Sequence, residues 1–376
     1  MKITCLQENL KNGLNIVQNI IGKNLTLPIL NNILLNTEKK QLKLSSTDLE
    51  IAITNYVLCK IEKEGGITIP SKTLFNFVSN LPNKKIEIIV KNNIASLKCE
   101  NYKSNIKGLD VKDFPIIPKI KDEPVLEINS LILKNTLEQV SNFVSFSDIR
   151  PEITGILFDF SSDKEIKFTA TDSFRLGEKI LNLKNKNNKI KKNYQGSIIV
   201  PYKTIQELIR IISNQEKNEE DIVKISIENN QILFNLSKIQ IISKLIEGSY
   251  PSYQQLISKQ FDTTILIEKE ELIKAVKLSS FFSSKINDVR LRINSKKSLL
   301  EVFSQDIELG ENLSELKAEI KGKDLEIIFN HKYLLDGLNS INTKRLLFGL
   351  NSETSPGIIK PEGDETFHYV IMPIKL

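Results

Sequence analysis

The sequence contains few of the residues from which metal sites, disulfides and many catalytic centres are built. It has three cysteines and two histidines in 376 residues. The cysteines, Cys5, Cys59 and Cys99, are odd in number and form no C-x-x-C pair, which argues against both a disulfide framework and a zinc site. We therefore expect buried thiols in a reducing compartment, and we expect neither a metal nor another cofactor.

Long apolar runs are also missing. No run of apolar residues approaches the roughly 20 that a membrane helix requires. The first residues, MKITCLQENLK, lack the apolar core of a signal peptide. These two absences predict a cytoplasmic protein without a membrane partner.

The motifs of common enzyme classes do not occur either. HExxH, GxSxG, GxxxxGK[ST] and GxGxxG are all missing, and the two histidines, His331 and His368, lie in different segments. Asp48, Asp172 and Asp306 recur at matching points of similar stretches, which indicates that each stabilises a turn and that they do not form a catalytic set. We therefore predict a protein without catalytic activity, with an intracellular enzyme as the alternative.

The formal net charge is +6, and the positive excess lies in the first third of the chain. Residues 1–121 contain 18 lysines, no arginine and 10 acidic residues. This excess is moderate for a nucleic-acid-binding protein, in which clustered arginine would be a stronger signal. A general enrichment in Lys, Asn and Ile explains it equally well, so charge alone does not identify the partner.

One order of helices and strands occurs three times, with a period of about 120 residues that is far longer than in solenoid repeats. The first helix of each copy is predicted from apolar periodicity over residues 8–22, 131–144 and 269–282. The second helix falls within 67–81 and 197–212 and is predicted over 325–341. We predict an α+β fold of three tandem domains, each with two helices against an antiparallel sheet, over residues 1–121, 122–259 and 260–376.

The polar sides of these six helices share long cations and neutral amides. Such a surface can contact phosphates without reading bases, and it lacks the aromatic platforms that favour single strands. Glu138, Glu207 and Asp336 interrupt the pattern, so the surface is only mildly positive. Amphipathic helices in any soluble protein carry Lys and Asn outward, and this simpler interpretation stays open.

Seven segments together resemble the bacterial DNA polymerase III beta subunit family, the sliding clamps. They are TLPILNNILL (26–35), STDLEI (46–51), DFPIIP (113–118), TATDSFRL (169–176), EGSYPSYQQL (247–256), FNHKYLLDGL (329–338) and YVIMPIKL (369–376). The combination of TATD-x-x-RL, EG-x-x-P-x-Y and the last segment is specific, whereas each alone is weak. The resemblance covers the whole chain and implies three DNA-clamp domains and a ring-forming dimer.

The resemblance also implies the partners. A head-to-tail homodimer would enclose double-stranded DNA without sequence specificity, associate with the nucleoid, and tether the catalytic subunit of the replicative polymerase. The clamp loader, repair polymerases and other proteins with a clamp-binding motif would use the same site. Three repeats in a row would expose two sheet edges, and pairing with a second copy would cover both. The alternative is a nucleic-acid-binding protein that forms no ring.

Two sets of contact residues are expected, the dimer interface from the family alignment and the DNA-facing set mainly from the polar sides of the six helices. The dimer interface is expected at Ile106, Phe281 and Phe282, although the two phenylalanines could instead belong to the core. The residues expected to face DNA are Lys11, Lys23, Asn24, Lys72, Lys134, Arg150, Lys203, Arg210, Lys274, Lys277 and Lys332.

The family also implies a hydrophobic pocket that binds a short linear peptide, between the second and third domains. Its residues would be Ile153, Thr171, Ser173, Phe174, Arg175, Leu176, Pro251, Gln255, Leu256, Asn330, Tyr333, Ser355, Val370, Ile371, Met372, Pro373, Ile374, Lys375 and Leu376. The chain departs from the family pattern at three of these positions and at one DNA-facing position: Ser173 replaces a usual glycine, Gln255 and Lys375 replace frequent arginines, and Asn24 replaces a frequent basic residue. We expect some strain at Ser173 and a less cationic rim to the pocket.

Overall fold

The structure, a computed structural model, describes residues 1–22, 27–38, 40–121, 123–147, 149–183, 189–190, 194–215 and 221–375. Three of the predicted contact residues, Lys23, Asn24 and Leu376, lie outside the described residues. Within the described ranges, no helix combines the length and the apolar character needed to span a membrane.

Six α-helices lie within the described residues, two in each predicted domain. They are α1 Gln7–Val17, α2 Ser71–Ser79, α3 Ser130–Ser141, α4 Tyr202–Asn214, α5 Lys269–Ser280 and α6 His331–Asn339. The helix predicted over 325–341 begins only at His331, because Leu325–Asn330 is a strand. Asn330 caps the helix, since its side-chain oxygen accepts hydrogen bonds from the N–H groups of Lys332 and Tyr333 at 2.9 and 3.4 Å.

The chain divides into two compact units, and the first consists of Met1–Ile132, Lys186–Tyr194 and Lys203–Leu245. Its larger sheet has nine antiparallel strands. Strands are numbered by their order along the chain. Across this sheet, neighbouring strands follow in the order β14 Lys189–Ile190, β10 Leu126–Asn129, β16 Ile222–Glu228, β17 Gln231–Leu236, β18 Ile239–Lys244, β4 Ile51–Leu58, β3 Gln41–Thr47, β2 Asn32–Glu38 and β6 Gly66–Pro70. Its smaller sheet has five strands: β5 Lys60–Lys63, β1 Lys2–Leu6, β7 Lys85–Lys91, β8 Ile94–Cys99 and β9 Tyr102–Lys107.

The second unit consists of Leu133–Asn185, Gln195–Tyr202 and Ile246–Leu376. Its nine-stranded antiparallel sheet has the spatial order β23 Glu319–Gly322, β19 Thr263–Glu268, β25 Arg345–Leu350, β26 Gly357–Pro361, β27 Phe367–Ile371, β13 Arg175–Asn182, β12 Glu165–Thr171, β11 Gly155–Asp159 and β15 Ser197–Pro201. Its other sheet has four strands: β22 Gly310–Lys317, β21 Leu299–Asp306, β20 Asp288–Asn294 and β24 Leu325–Asn330.

The two nine-stranded sheets follow one plan. In each, a block of five strands pairs with a block of four strands, through β18 and β4 in the first unit and through β27 and β13 in the second. The five-stranded sheet has the order of the first block alone and ends at β9. The four-stranded sheet has the order of the second block alone and ends at β22. The positions of β9 and β22 therefore match those of the strands that pair elsewhere in the chain.

Each of the three recurring aspartates closes a tight turn. One carboxylate oxygen of Asp48, Asp172 and Asp306 accepts hydrogen bonds from the backbone N–H groups two and three residues further on, at 2.8 to 3.1 Å. The predicted turn-stabilising role of these residues is confirmed. In two of the turns the next residue is left-handed, with φ of 79° at Leu49 and 78° at Ser173. The strain expected at Ser173 is therefore present, because only glycine adopts this conformation without cost.

The cysteine thiols are mostly enclosed. Cys5 and Cys99 are buried and Cys59 is half-buried, which agrees with the predicted buried thiols for the first two. Burial raises the pKa of the Cys5 thiol to about 12, so it is almost entirely protonated at neutral pH. Among the described residues, no group of three or more His, Cys, Asp and Glu side chains is arranged to hold a metal ion.

A glycine lets α6 pack closely on β27. A Cβ atom at Gly337 would lie 2.1 Å from Cε1 of the fully buried Tyr369, so any larger residue would push the helix away. The Tyr369 hydroxyl donates to the carbonyl oxygen of Tyr333 on the same helix at 2.6 Å. This contact fixes the position of Tyr333 relative to the last strand of the chain.

Candidate functional site

The turn between β12 and β13 begins the candidate site. Thr171 donates its hydroxyl to the carbonyl of Arg175 at 2.6 Å, and its Oγ1 accepts from the N–H of Ser173 at 3.1 Å. Together with the two bonds to Asp172, these contacts hold the turn rigid despite the left-handed residue. Phe174 projects from the turn with 59% of its surface exposed. Its ring stacks on that of Tyr333, with centroids 6.2 Å apart.

Arg175 links three elements and is only 11% exposed. Its Nε bonds to Asp172 at 2.9 Å, and a terminal nitrogen pairs with Asp336 on α6. A second terminal nitrogen donates to the carbonyl of Asn142, just beyond α3, at 3.3 Å. The guanidinium carbon also lies 4.5 Å from the ring centroid of Tyr333. Because these contacts occupy most of its donors, Arg175 acts first as a structural link beneath the surface.

Four apolar residues of the predicted pocket lie beneath the surface. Ile153, Leu176, Val370 and Ile371 are all buried. Leu176 on β13 stands opposite Val370 on β27, and both belong to a hydrophobic cluster with Leu157, Ile199, Tyr253 and Ile358. They form the floor of any binding surface at this position.

The exposed part of the predicted pocket comes from two other segments. Gln255 and Leu256 are exposed on a short 3-10 helix, Gln254–Leu256. After β27 the tail continues in an extended form, as the N–H of Met372 bonds to the carbonyl of Phe174 at 2.9 Å and that of Ile374 bonds to Ile328 at 2.8 Å. The last strand is therefore structural, whereas residues 372–375 are half-buried or exposed and can contact a partner.

A cleft of about 470 Å³ lies beside this tail. It is lined by Glu326, Ile327, Ile328, Glu353, Thr354, Ile374 and Lys375. Ser355, another predicted pocket residue, is half-buried near it in sequence and its N–H bonds to the Ser352 hydroxyl at 3.1 Å. Pro251 is half-buried on residues 247–256, the interdomain segment, which joins the second and third predicted domains. The cleft thus combines apolar side chains with the charged groups of Glu326, Glu353 and Lys375.

The interdomain segment is anchored by two tyrosines that the sequence analysis did not place in the site. The Tyr250 hydroxyl donates to the Thr169 carbonyl at 3.3 Å, and the Tyr253 hydroxyl donates to Glu178 at 2.6 Å.

Burial by itself raises the pKa of Glu178, but the nearby His368 and the hydrogen bond from Tyr253 outweigh this effect and lower the pKa. The carboxylate therefore stabilises the fold at neutral pH, and this contribution is lost as the pH falls through the lowered pKa. In the sequence, Tyr253 is the tyrosine of the EG-x-x-P-x-Y motif, and this motif was the feature from which the anchoring contact could have been predicted.

The residues predicted to face DNA differ in how free their charges are. Lys11, Lys72, Lys274, Lys277 and Lys332 are exposed on their helices. Four more of the described residues in this set form ion pairs: Lys134 with Glu138, Arg150 with Glu152, Lys203 with Asp48, and Arg210 with Glu207. Arg210 also donates to the carbonyls of Asn15 and Ile16 at 3.3 and 2.8 Å, near the end of α1. Arg210 thus has a clear structural role in the first unit.

Three family models match the chain almost from end to end. The N-terminal, central and C-terminal domain models of the DNA polymerase III beta subunit match residues 1–118, 127–252 and 254–375. The chain belongs to the DNA polymerase III beta subunit family. The predicted α+β fold of three tandem clamp domains is thereby confirmed. Family membership also makes the chain a non-catalytic processivity factor and excludes the enzyme alternative.

Individual relatives align with the chain over its whole length. A beta sliding clamp from Synechocystis sp. is 29% identical over 392 aligned residues, which cover 100% of both chains. The solved sliding clamp of Bacillus subtilis is 26% identical with a TM-score of 0.93, covering 100% of this chain and 99% of that one. A Pseudomonas aeruginosa clamp solved with a ligand is 27% identical with a TM-score of 0.92, covering 100% of both.

The contacts of Arg175 predict a large effect of a conservative substitution. Arg175→Lys should lower the free energy of unfolding by about 2–3 kcal/mol, because lysine cannot bond to Asp172, Asp336 and the Asn142 carbonyl together. Arg292→Lys is the matched control, since its pair with Glu326 is exposed and should cost less than about 1 kcal/mol. Urea denaturation measures both. Equal losses in the two variants would contradict the role assigned to Arg175.

Proposed function

We propose that two copies of this chain close head to tail into a ring around double-stranded DNA and tether the replicative polymerase to it. The observation that carries the proposal is the pair of unmatched sheet edges, β9 and β22. Twice within the chain, a five-strand block is completed by a four-strand block. Pairing β9 with β22 of a second copy would complete a third nine-stranded sheet of the same plan, and two-fold symmetry would form that sheet twice.

The side chains near these edges support such pairing. Phe281, directly after α5, is 71% exposed and thus does not belong to the core of the single chain, while Phe282 is half-buried. Leu313 on β22 is 51% exposed. Ile106 on β9 is already buried and would lie beneath the joint. Apolar groups of this size are seldom left in water on an open strand edge.

A closed ring needs only weak contacts with DNA. Direct binding through ion pairs with phosphates weakens steeply as salt rises, because less free energy is gained from counterion release, whereas a topological link does not. The exposed lysines on the helices would contact phosphates through water and allow sliding, without sequence specificity. Enclosing chromosomal DNA would place the protein on the nucleoid, and this localisation is part of the proposal.

The surface formed by Phe174, Leu256 and the tail after Ile371 is the proposed docking site for partner peptides. Phe174 and Leu256 are exposed, and Met372 offers a flexible apolar group that suits several different partners. The catalytic subunit of the replicative polymerase, the clamp loader and repair polymerases would share this site. Gln255 and Lys375 are both exposed in place of arginines, so the partner motif would rely more on apolar contacts than on charge.

The proposed dimer predicts the effect of one charge at its edge. Phe281→Asp should convert the dimer into a folded 42.8 kDa monomer at micromolar concentration, because closure would bury an unpaired carboxylate. Ile149→Asp alters a residue that is 90% exposed outside the proposed interface and should leave the dimer intact. Sedimentation velocity measures both masses. A monomeric wild-type protein, or a dimeric Phe281→Asp variant, would refute the interface.

Removal of the last five residues, from Met372 onward, tests the docking site. The shortened protein should fold and dimerise, because β27 and its buried residues remain, and it should lose polymerase binding. Surface plasmon resonance with the polymerase catalytic subunit of the same organism measures the affinity, and circular dichroism checks the fold. Unfolding of the shortened protein, or unchanged polymerase affinity, would contradict this assignment.

A further inference from the structure

Glu178 is an unusual residue for the middle of a β-sheet. It lies on β13, is 3% exposed, and shares its side of the strand with Leu176. Its Oε2 accepts a hydrogen bond from the Tyr253 hydroxyl at 2.6 Å, and its Oε1 lies 3.5 Å from Nδ1 of His368. Burying a carboxylate costs free energy that only well-placed donors offset. Such a group therefore imposes a strict geometric demand on whatever donates to it.

Tyr253 is the residue that meets this demand. It is 2% exposed, and its hydroxyl both donates to Glu178 and accepts from the Thr169 hydroxyl at 2.9 Å. Its ring packs in the cluster that contains Leu176 and Val370, the buried floor of the proposed docking site. One side chain thus contacts two strands of the sheet through its hydroxyl and the floor of the site through its ring.

The backbone of Tyr253 leads directly into the exposed part of the site. Its carbonyl accepts from the N–H of Leu256 at 2.8 Å and closes the short 3-10 helix that carries Gln255 and Leu256. Its N–H donates to Oε1 of Gln254 at 3.2 Å. The direction in which Leu256 projects is therefore set by where the Tyr253 hydroxyl is held.

We propose that Glu178 is a positioning residue for the docking site, acting through Tyr253 to hold Gln255 and Leu256 against the partner peptide. The proposal rests on the docking function proposed above. Apolar packing alone would allow the segment to slide along the cluster, since hydrophobic contacts have little directionality. A slide would leave the buried carboxylate without its donor, so the hydrogen bond fixes the register of the segment.

The surroundings of Glu178 agree with a positioning role. It lines a cleft of about 800 Å³ whose walls include Lys167, Lys360 and Glu365. Lys360 is paired with Glu365 at 2.9 Å, and Lys167 lies 3.9 Å from Glu165, so both cations have partners near the rim. Of the contacts made by Glu178, the hydrogen bond from Tyr253 is the short, directional one. The shortest hydrogen bond of the Glu178 carboxylate thus joins it to Tyr253 of the interdomain segment.

A set of three variants tests the proposal. Tyr253→Phe should weaken binding of the polymerase catalytic subunit about tenfold and lower the melting temperature, because it removes one hydrogen bond and leaves a buried charge without its donor. Adding Glu178→Leu to Tyr253→Phe should restore most of the melting temperature, since both polar partners are then absent, but not the affinity. Glu178→Gln alone should keep the affinity within about threefold, because its amide oxygen still accepts from Tyr253. Tyr202→Phe, on α4, is the control and should change neither quantity.

Affinity is measured by surface plasmon resonance and local order by hydrogen exchange of residues 254–257. The double variant should show faster exchange there despite its restored melting temperature. If affinity and exchange recover together with the melting temperature, Glu178 is only structural and the proposal is overturned. If the tail deletion abolishes binding while Tyr253→Phe leaves it intact, the docking function stands and this inference alone fails. Failure of the wild-type protein to bind the polymerase overturns both.

Discussion

An edge strand of a β-sheet presents backbone N–H and C=O groups that have no hydrogen-bond partner within the sheet. The need to pair such edges determines how the domains of this protein are joined. Within the chain, the pairing of β18 with β4 and of β27 with β13 joins strands of successive domains into nine-stranded sheets. The strands at the corresponding positions of the other two sheets, β9 and β22, have no such neighbour within the described residues, and we propose that a second copy of the chain supplies it. The proposed dimerisation would then repeat the contact by which the chain already joins its own domains.

The same strand pairing creates the place where partners would bind. Because β27 pairs with β13, the last strand of the chain lies beside the turn that carries Phe174 and Arg175. Two charged residues on the same strand, the half-buried Arg175 and the buried Glu178, then hold neighbouring elements in place. Arg175 joins the turn to α6 through Asp336, and Glu178 holds the interdomain segment through Tyr253. The exposed surface is apolar, while the directional contacts that shape it lie underneath.

The sequence predicted the fold more completely than the site. The apolar periodicity over residues 8–22, 131–144 and 269–282 is local, so it can be recognised without knowledge of distant contacts. The three turn aspartates were predictable for the same reason, since their partners lie two and three residues away. The Glu178–Tyr253 bond joins residues 75 positions apart, and no local pattern reveals it. Nor could local patterns show that Arg210 and Arg175 are bound to neighbouring elements, because a cation on a helix or turn has the same spacing whether it is paired or free.

If the protein is held on DNA by topology, cutting a circular DNA should release it. The protein would be loaded on nicked circular DNA by its clamp loader, isolated by gel filtration, and the DNA then cut once with a restriction enzyme. We expect the protein to stay on the circle at high salt and to leave the linear DNA by sliding off its ends. Equal retention on circular and linear DNA would show instead that direct contacts hold the protein, and topological retention would be refuted.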